Sequence, residues 1–182
     1  VTDANGLRTL ITYDAFGLAT RKQFRGSSDA VMVAPDERTA VTQCSVTGCW
    51  TPIERYQVAT VQDGSPVRLT RHDALGRVWL EAQQGLDGEW VNVFSEYLPR
   101  GQLKYRTEPF RGGETLYYTF FEYNDVLGRM TKRIVPRQAE DGRGDMVTTY
   151  AYAGRTTNIQ VCGSADSGTG NCLNLSRTTD SL

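Results

Sequence analysis

The stretch RHDALGRVW, Arg71 to Trp79, reads as two strands joined by a tight turn, and the rest of the chain repeats its punctuation. The unit is an aromatic or similar residue, then Asp, two variable residues, Gly and often Arg, with alternating apolar and polar residues on both sides. Asp73 suits the first position of a type I turn, where a short carboxylate accepts a local backbone N–H. Gly76 suits the position after it, where φ is positive. Together they specify a hairpin loop with a G1 bulge. Arg77 then faces Asp73 across the turn as an opposite-charge pair, worth a few tenths of a kcal/mol up to ~1.

The pattern recurs as Asp3 with Gly6, Asp14 with Gly17, and Asp125 with Gly128 followed by Arg129. Looser copies carry Tyr97 with Gly101 and Tyr150 with Gly154, both without Asp. From Gly76 onward these glycines fall at 76, 101, 128 and 154, spaced 25, 27 and 26 residues apart. A second series, Asp63-Gly64, Asp87-Gly88, Gly112-Gly113 and Asp141-Gly142, interleaves with the first at spacings of 24, 25 and 29. Asp-Gly or Gly-Gly between alternating runs is a strong hairpin signal. Two interleaved series predict an all-β antiparallel meander, with one turn type on each rim.

Strands are expected near Leu7 to Tyr13, Leu18 to Phe24, Arg55 to Val61, Val67 to His72, Arg77 to Gln83 and Trp90 to Tyr97. Further strands are expected near Gln102 to Thr107, Thr115 to Tyr123, Arg129 to Val135, Val147 to Tyr152 and Arg155 to Val161. The chain divides into a hairpin over 1–24, an irregular insertion or degenerate repeat over 25–52, regular hairpins over 53–161, and a cysteine-closed loop with a polar tail over 162–182. No strand is placed in 25–52 or after Val161.

Composition narrows the function classes. Twenty basic and 21 acidic residues give a net charge of -1, which makes no electrostatic case for nucleic acid or an anionic membrane. The 182 residues contain no apolar run long enough for a transmembrane helix or signal peptide, and the chain begins at Val1, so it reads as an excerpt or a processed product.

A ladder of YDAFG, HDALGRV, YNDVLGRM and YAYAGRT hairpins resembles the Rhs/YD-repeat family: bacterial Rhs proteins, the B and C components of insecticidal toxin complexes, and animal teneurins. The resemblance covers the chain apart from its two cysteine-bearing loops. Departures are His72 where Tyr is usual, the missing Asp near Tyr97 and Tyr150, and a Tyr one position early at Tyr123, before Asn124. The resemblance implies a curved β-ribbon that is part of a larger β-shell, which in bacterial members encloses a toxic C-terminal domain and helps deliver it. It implies a secreted or cell-surface bacterial protein, whose partners are the rest of the parent shell and the enclosed toxin polypeptide. No DPxGL-type junction occurs here, so the fragment is expected to be wall, with neither cargo nor autoprotease.

The cysteines form two local pairs, Cys44 with Cys49 and Cys162 with Cys172, open to three readings: short-loop disulfides, thiols, or zinc ligands, for which intervals of four and nine residues are a poor match. His72, the lone histidine, occupies the repeat's aromatic slot. Alternation along a strand points it away from Asp73, so the two are not a dyad by adjacency. Asp3, Asp14, Asp73 and Asp125 are accounted for by turns, without a paired-carboxylate site. The glycine clusters lack the Lys-Ser/Thr of a phosphate loop. The sequence therefore predicts no enzyme, cofactor or metal. Aromatics over residues 117–123 read as cross-strand packing. An alternative function is a carbohydrate-binding adhesin module in which Tyr117 and Tyr118 contact glycans.

Overall fold

The computed structural model describes residues 1–26, 28–44, 51–136, 144–163 and 172–179. The fold is all-β, with thirteen strands among these residues, each paired antiparallel with its neighbours in sequence. They are β1 Arg8–Tyr13, β2 Ala19–Arg25, β3 Met32–Gln43, β4 Tyr56–Gln62, β5 Arg68–His72, β6 Val78–Gln84 and β7 Trp90–Tyr97. Then follow β8 Leu103–Thr107, β9 Tyr118–Glu122, β10 Lys132–Val135, β11 Met146–Ala153, β12 Thr156–Gly163 and β13 Leu173–Thr178. The meander expected from the two turn series is the observed topology. No helix among the described residues is long and apolar enough to cross a membrane.

Two compact units share the chain: Val1–Phe94 with Pro109–Gly113, and Ser95–Glu108 with Glu114–Leu182. In the first, Val1 and Thr2 fold back beside β1, with the Thr9 N–H donating to the Val1 carbonyl at 2.8 Å. Its core centres on β6, where the adjacent Trp79 and Leu80 are both buried, together with Ala82. Neighbours on a strand point to opposite faces, so β6 is covered on both sides. Phe94 stacks on Trp79 at 6.0 Å, and Phe110 packs against Phe94 at 5.1 Å. Phe110 reaches this position because its backbone exchanges hydrogen bonds with Asn92, at 2.8 and 3.0 Å.

Strand β3 lies within the segment read as irregular, residues 25–52. Its sequence, MVAPDERTAVTQ, hides the alternation because the pairing with β2 slips twice: Arg25 faces Met32, Phe24 faces Ala34, and Lys22 faces Glu37. Pro35 sits in one of these slips, where a residue without an N–H breaks no ladder bond. Beyond the slips, β3 pairs with β4 without interruption from Glu37 to Gln43.

In the second unit, β10 begins at Lys132, three residues later than expected from Arg129. Asn124 is the extra residue in this copy of the repeat. Its N–H is taken by the Thr131 hydroxyl at 3.1 Å, and the chain joins the ladder only after the Thr131 N–H donates to the Glu122 carbonyl at 2.7 Å.

The tail read as a loop contains β13, which pairs with β12 from Val161–Leu173 to Thr156–Thr178. All six of its residues are exposed, so cross-strand bonds rather than burial hold it. The Thr179 N–H donates to the Arg155 carbonyl at 3.2 Å, which sets the phase of the ladder. Counting in twos from that bonded pair, residues 173, 175 and 177 exchange backbone bonds with β12. The intervening positions are the close, non-hydrogen-bonded pairs. There the side chains meet on one face: Thr156 with Thr178 at 3.4 Å, Asn158 with Ser176 at 3.0 Å, and Gln160 with Asn174 at 3.2 Å. The next rung is the Cys162–Cys172 disulfide, with a Cα separation of 4.5 Å. Of the three cysteine readings, the disulfide is therefore present at this pair. Cys49, the partner proposed for Cys44, lies outside the described residues, as does the Asp141-Gly142 turn.

Replacing Cys162 and Cys172 together by Ser should lower the unfolding free energy of the oxidised protein by about 2 to 3 kcal/mol, the chain-entropy value for a loop this short. Urea denaturation of the two proteins measures it, and equal midpoints would show that the side-chain ladder alone fixes β13.

Candidate functional site

The Asp–Gly turns are the most repeated chemical feature of the protein. At the turn within Arg71 to Trp79, the Gly76 N–H donates to the Asp73 carbonyl and the Asp73 N–H to the Arg77 carbonyl, both at 3.0 Å. The Asp73 carboxylate closes the loop from within: Oδ1 accepts the N–H groups of Leu75 and Arg77, each at 2.9 Å. Its other oxygen takes the Arg77 guanidinium at 2.7 Å, the ion pair expected from sequence. Gly76 has φ 76°, as the first residue of a G1 bulge requires, and a separate one-residue slip of register follows between Arg71 and His72.

The same arrangement recurs. Asp3 accepts from Asn5 and Leu7 at 2.9 and 2.8 Å, and Asp14 from Phe16 and Leu18, both at 2.9 Å. Gly17 has φ 80° beside a slip at Tyr13. Asp125 accepts from Leu127 at 2.9 Å and grips Arg129 with both oxygens, at 2.8 and 2.9 Å. The turn before Gly101 keeps the backbone pattern with Leu98 in place of Asp, so no carboxylate closes it, and its two main-chain bonds are both 2.8 Å.

Two turns depart from the expected classes. Gly154 belongs to a tighter hairpin: Ala153 pairs directly with Thr156, leaving Gly154 and Arg155 as a two-residue loop with Gly at its positive-φ first position. No carboxylate is available there to close a longer one. Gly88, of the second series, closes the first-series way, its N–H donating to the Gly85 carbonyl at 3.1 Å while the Gly85 N–H donates to the Glu89 carbonyl at 2.7 Å. Gly64 sits instead at the third position of a turn closed by the Ser65 N–H on the Gln62 carbonyl, at 2.9 Å. Rim position thus does not fix turn type.

Tyrosine hydroxyls connect successive repeats in the second unit, a role the sequence reading missed. The Tyr123 hydroxyl donates to the Leu103 carbonyl at 3.0 Å, and the Tyr152 hydroxyl to the Met130 carbonyl at 2.7 Å. Each acceptor lies two residues past the glycine of the preceding turn, Gly101 or Gly128. The Tyr152 ring also lies 4.0 Å beneath the Arg129 guanidinium, so one side chain contacts both the backbone and the ion pair of the preceding turn. Gln102 adds a bond from Nε2 to the Gly128 carbonyl at 2.6 Å. Counted from its own turn the tyrosine position varies, which hid the rule; counted from the preceding acceptor, the offsets are 20 and 22 residues.

His72 fills the corresponding aromatic slot. Its ring stacks on Tyr56 with centroids 4.5 Å apart and planes 6° from parallel. Nδ1 lies 3.0 Å from the Gly76 carbonyl, an obligate acceptor, so Nδ1 carries hydrogen, while Nε2 lies 2.9 Å from the Thr70 hydroxyl. A depression of ≈ 660 Å³ beside His72 is lined partly by Leu18, Val41, Val58 and Tyr56, but it faces a ring whose two nitrogens are already engaged.

Several other charged groups lie in ion pairs. The side-chain bonds from Arg25 and Arg21 hold the Asp36 carboxyl down at about 2. The Asp125 carboxyl is held at about 2, chiefly by Arg129. Burial pushes Asp73 up, but the bonds from the Arg77 side chain and from the Arg77 and Leu75 backbone outweigh it, leaving Asp73 below the ordinary carboxylate value. Glu54, invisible to pattern reading, is buried beside Arg71 at 3.0 Å.

Of the two aromatic residues singled out for glycan contact, Tyr118 and Tyr117 are both half-buried. Tyr118 meets the edge of Tyr105 at 5.2 Å and shares its strand face with Phe120, ring centroids 6.0 Å apart. Tyr105 donates its hydroxyl to Glu96, which is the first cause of its pKa being pushed up to about 12. Cross-strand packing accounts for these contacts.

Gly76→Val should cost at least about 1 to 2 kcal/mol, the penalty for an L-residue at positive φ, and His72→Tyr about 1 kcal/mol, since stacking on Tyr56 survives and water partly replaces the two hydrogen bonds of the imidazole. Thermal midpoints of the two variants test the order, and a larger loss for His72→Tyr would give His72 a role beyond the slot. Because the folded-state values of Asp36 and Asp125 lie below the ordinary 3.8, their contribution to stability is complete above about pH 4 and is lost as pH falls toward about 2. Midpoints measured from pH 5 to pH 2 should fall more steeply for the native protein than for Asp125→Asn, which retains the turn acceptor without the charge.

Comparison with known proteins adds no identity to this geometry: no family model matches the chain, and no curated protein does.

Proposed function

We propose that this chain is a structural segment of an Rhs/YD-repeat shell, a wall that encloses a C-terminal toxin domain and helps deliver it from a secreted or cell-surface bacterial protein. The observation that carries the reading is the pair of bonds in the second unit from one repeat back to the one before it, Tyr123 to Leu103 and Tyr152 to Met130, laid over recurrent Asp–Gly turns. Such a unit builds by addition of like neighbours, as repeat proteins do, and its chemistry serves continuity of the sheet rather than turnover.

Two further features support the reading. The turn tips carry apolar residues where polar ones are usual: Phe16 is 91% exposed, Val126 97% and Leu86 98%. A larger assembly gives such residues something to pack against. The Cys162–Cys172 disulfide is compatible with an oxidising, extracellular setting. The carbohydrate-binding alternative rests on Tyr117 and Tyr118, both of which are half-buried.

Electron microscopy of a longer polypeptide carrying this segment within its repeat array should show a closed hollow particle that shields its C-terminal domain from added protease. An extended stalk with no cavity and a protease-sensitive C-terminal domain would overturn the proposal.

A further inference from the structure

One face of β1 to β3 carries more positive charge than its carboxylates offset. Asp36 accepts from Arg21 through Nε and Nη2, at 3.1 and 2.5 Å, and from Arg25 through Nη1 at 2.9 Å. One carboxylate thus serves two guanidinia. Arg25 lies opposite Arg8 on β1, which has its own partner in Asp29 at 2.8 Å. Arg21 lies directly opposite Arg38 on β3, two residues along from Asp36 and on the same face. Arg38 is exposed, and among the described residues it pairs with no carboxylate. Glu37 points to the other face and holds Lys22 there at 2.7 Å, and Asp63, just past the end of β4, enters no ion pair among the described residues. Arg8, Arg21, Arg25 and Arg38 set against Asp29 and Asp36 leave a surplus of two positive charges on this face, which the net charge of -1 for the whole chain conceals.

We infer that Arg21 and Arg38, with the hydroxyl of Thr12, bind a tetrahedral oxyanion, a sulfate or phosphate group. Thr12 lies opposite Arg21 on β1, so the three residues stand in one row across β1, β2 and β3. Arg21 meets Asp36 with its Nε–Nη2 edge, which leaves its Nη1 end for the anion, and the whole Arg38 guanidinium is open to it. Like charges directly opposite on a sheet destabilise it. A doubly charged oxyanion between the two guanidinia offsets the surplus and replaces that repulsion with charge-assisted hydrogen bonds, for which the planar guanidinium fork is suited. A carboxylate carries only one charge and two oxygens, so the tetrahedral dianion is the better match to two arginines and a hydroxyl. The row lies within three neighbouring strands and stands or falls apart from the shell reading.

Titration of the intact chain with sodium sulfate and with sodium phosphate, at an ionic strength held constant with sodium chloride, tests the site. The expected result is a saturable shift of the Arg21 and Arg38 side-chain N–H signals in NMR spectra, with a dissociation constant on the order of 1 mM, as suits an exposed site. Arg38→Gln should weaken binding about tenfold or more. Arg68→Gln removes the same charge from an exposed position on the opposite face of the sheet and should weaken it about twofold or less. Thermal midpoints give a second reading. In chloride, Arg38→Gln should melt no lower than the native chain, because it relieves the opposed charges, and it should lose the rise that the native chain shows in sulfate. A sulfated monosaccharide that displaces free sulfate from the same signals would extend the ligand to the group carried as an ester, and one that does not would confine it to the free ion. Shifts that do not saturate, or equal weakening in Arg38→Gln and Arg68→Gln, would overturn the inference.

Discussion

The structure depends on one local constraint, the closure of a turn by a glycine at positive φ while an aspartate carboxylate binds two N–H groups of the same loop. Gly76, at φ 76°, illustrates it. Without the glycine, an L-residue must enter a backbone region that costs it roughly 1 to 2 kcal/mol; without the acceptor, the N–H groups of Leu75 and Arg77 lose their partner. The aspartate is the more dispensable member. At Gly101 the loop closes with Leu98 in its place, and the glycine keeps φ 87°.

A closed turn fixes the position of everything that leaves it, which explains why the contacts between repeats gather beside the turns. Leu103 and Met130 offer their carbonyls at the same step past a glycine, so a tyrosine from the following strands finds an acceptor at a reproducible place. Where Arg129 holds Asp125, its guanidinium also covers the Tyr152 ring, and the turn, its ion pair and the next repeat become one connected set. Exposed ion pairs contribute little singly. Their effect here is positional: Arg129 is kept over the ring by a carboxylate that is itself held by the loop.

Much of this was legible in the sequence because turns are specified by few residues at fixed spacing. Strand β7 runs from Trp90 to Tyr97, the bounds that alternation predicts, and the Asp73–Arg77 pair follows from the turn geometry alone. What escaped has a common physical cause. Strand β3 slips its register around Pro35, so period two is lost in sequence although the strand continues in space. Strand β13 buries nothing, and a signal based on burial cannot find a strand held by cross-strand polar pairs and a disulfide. The tyrosine bonds and the Glu54–Arg71 pair join residues 17 to 22 positions apart, distances that no local pattern encodes.

His72, Asp73 and Arg77 show why side-chain chemistry has to be read with its geometry. A histidine, a carboxylate and a guanidinium within seven residues of one another suggest a catalytic group when read along the chain. In space each is bound within the hairpin. Both oxygens of Asp73 are occupied within its own loop and both ring nitrogens of His72 by Gly76 and Thr70, while the Arg77 guanidinium binds Asp73. These contacts lie within the turn and the strands it joins, and they hold the hairpin in its shape.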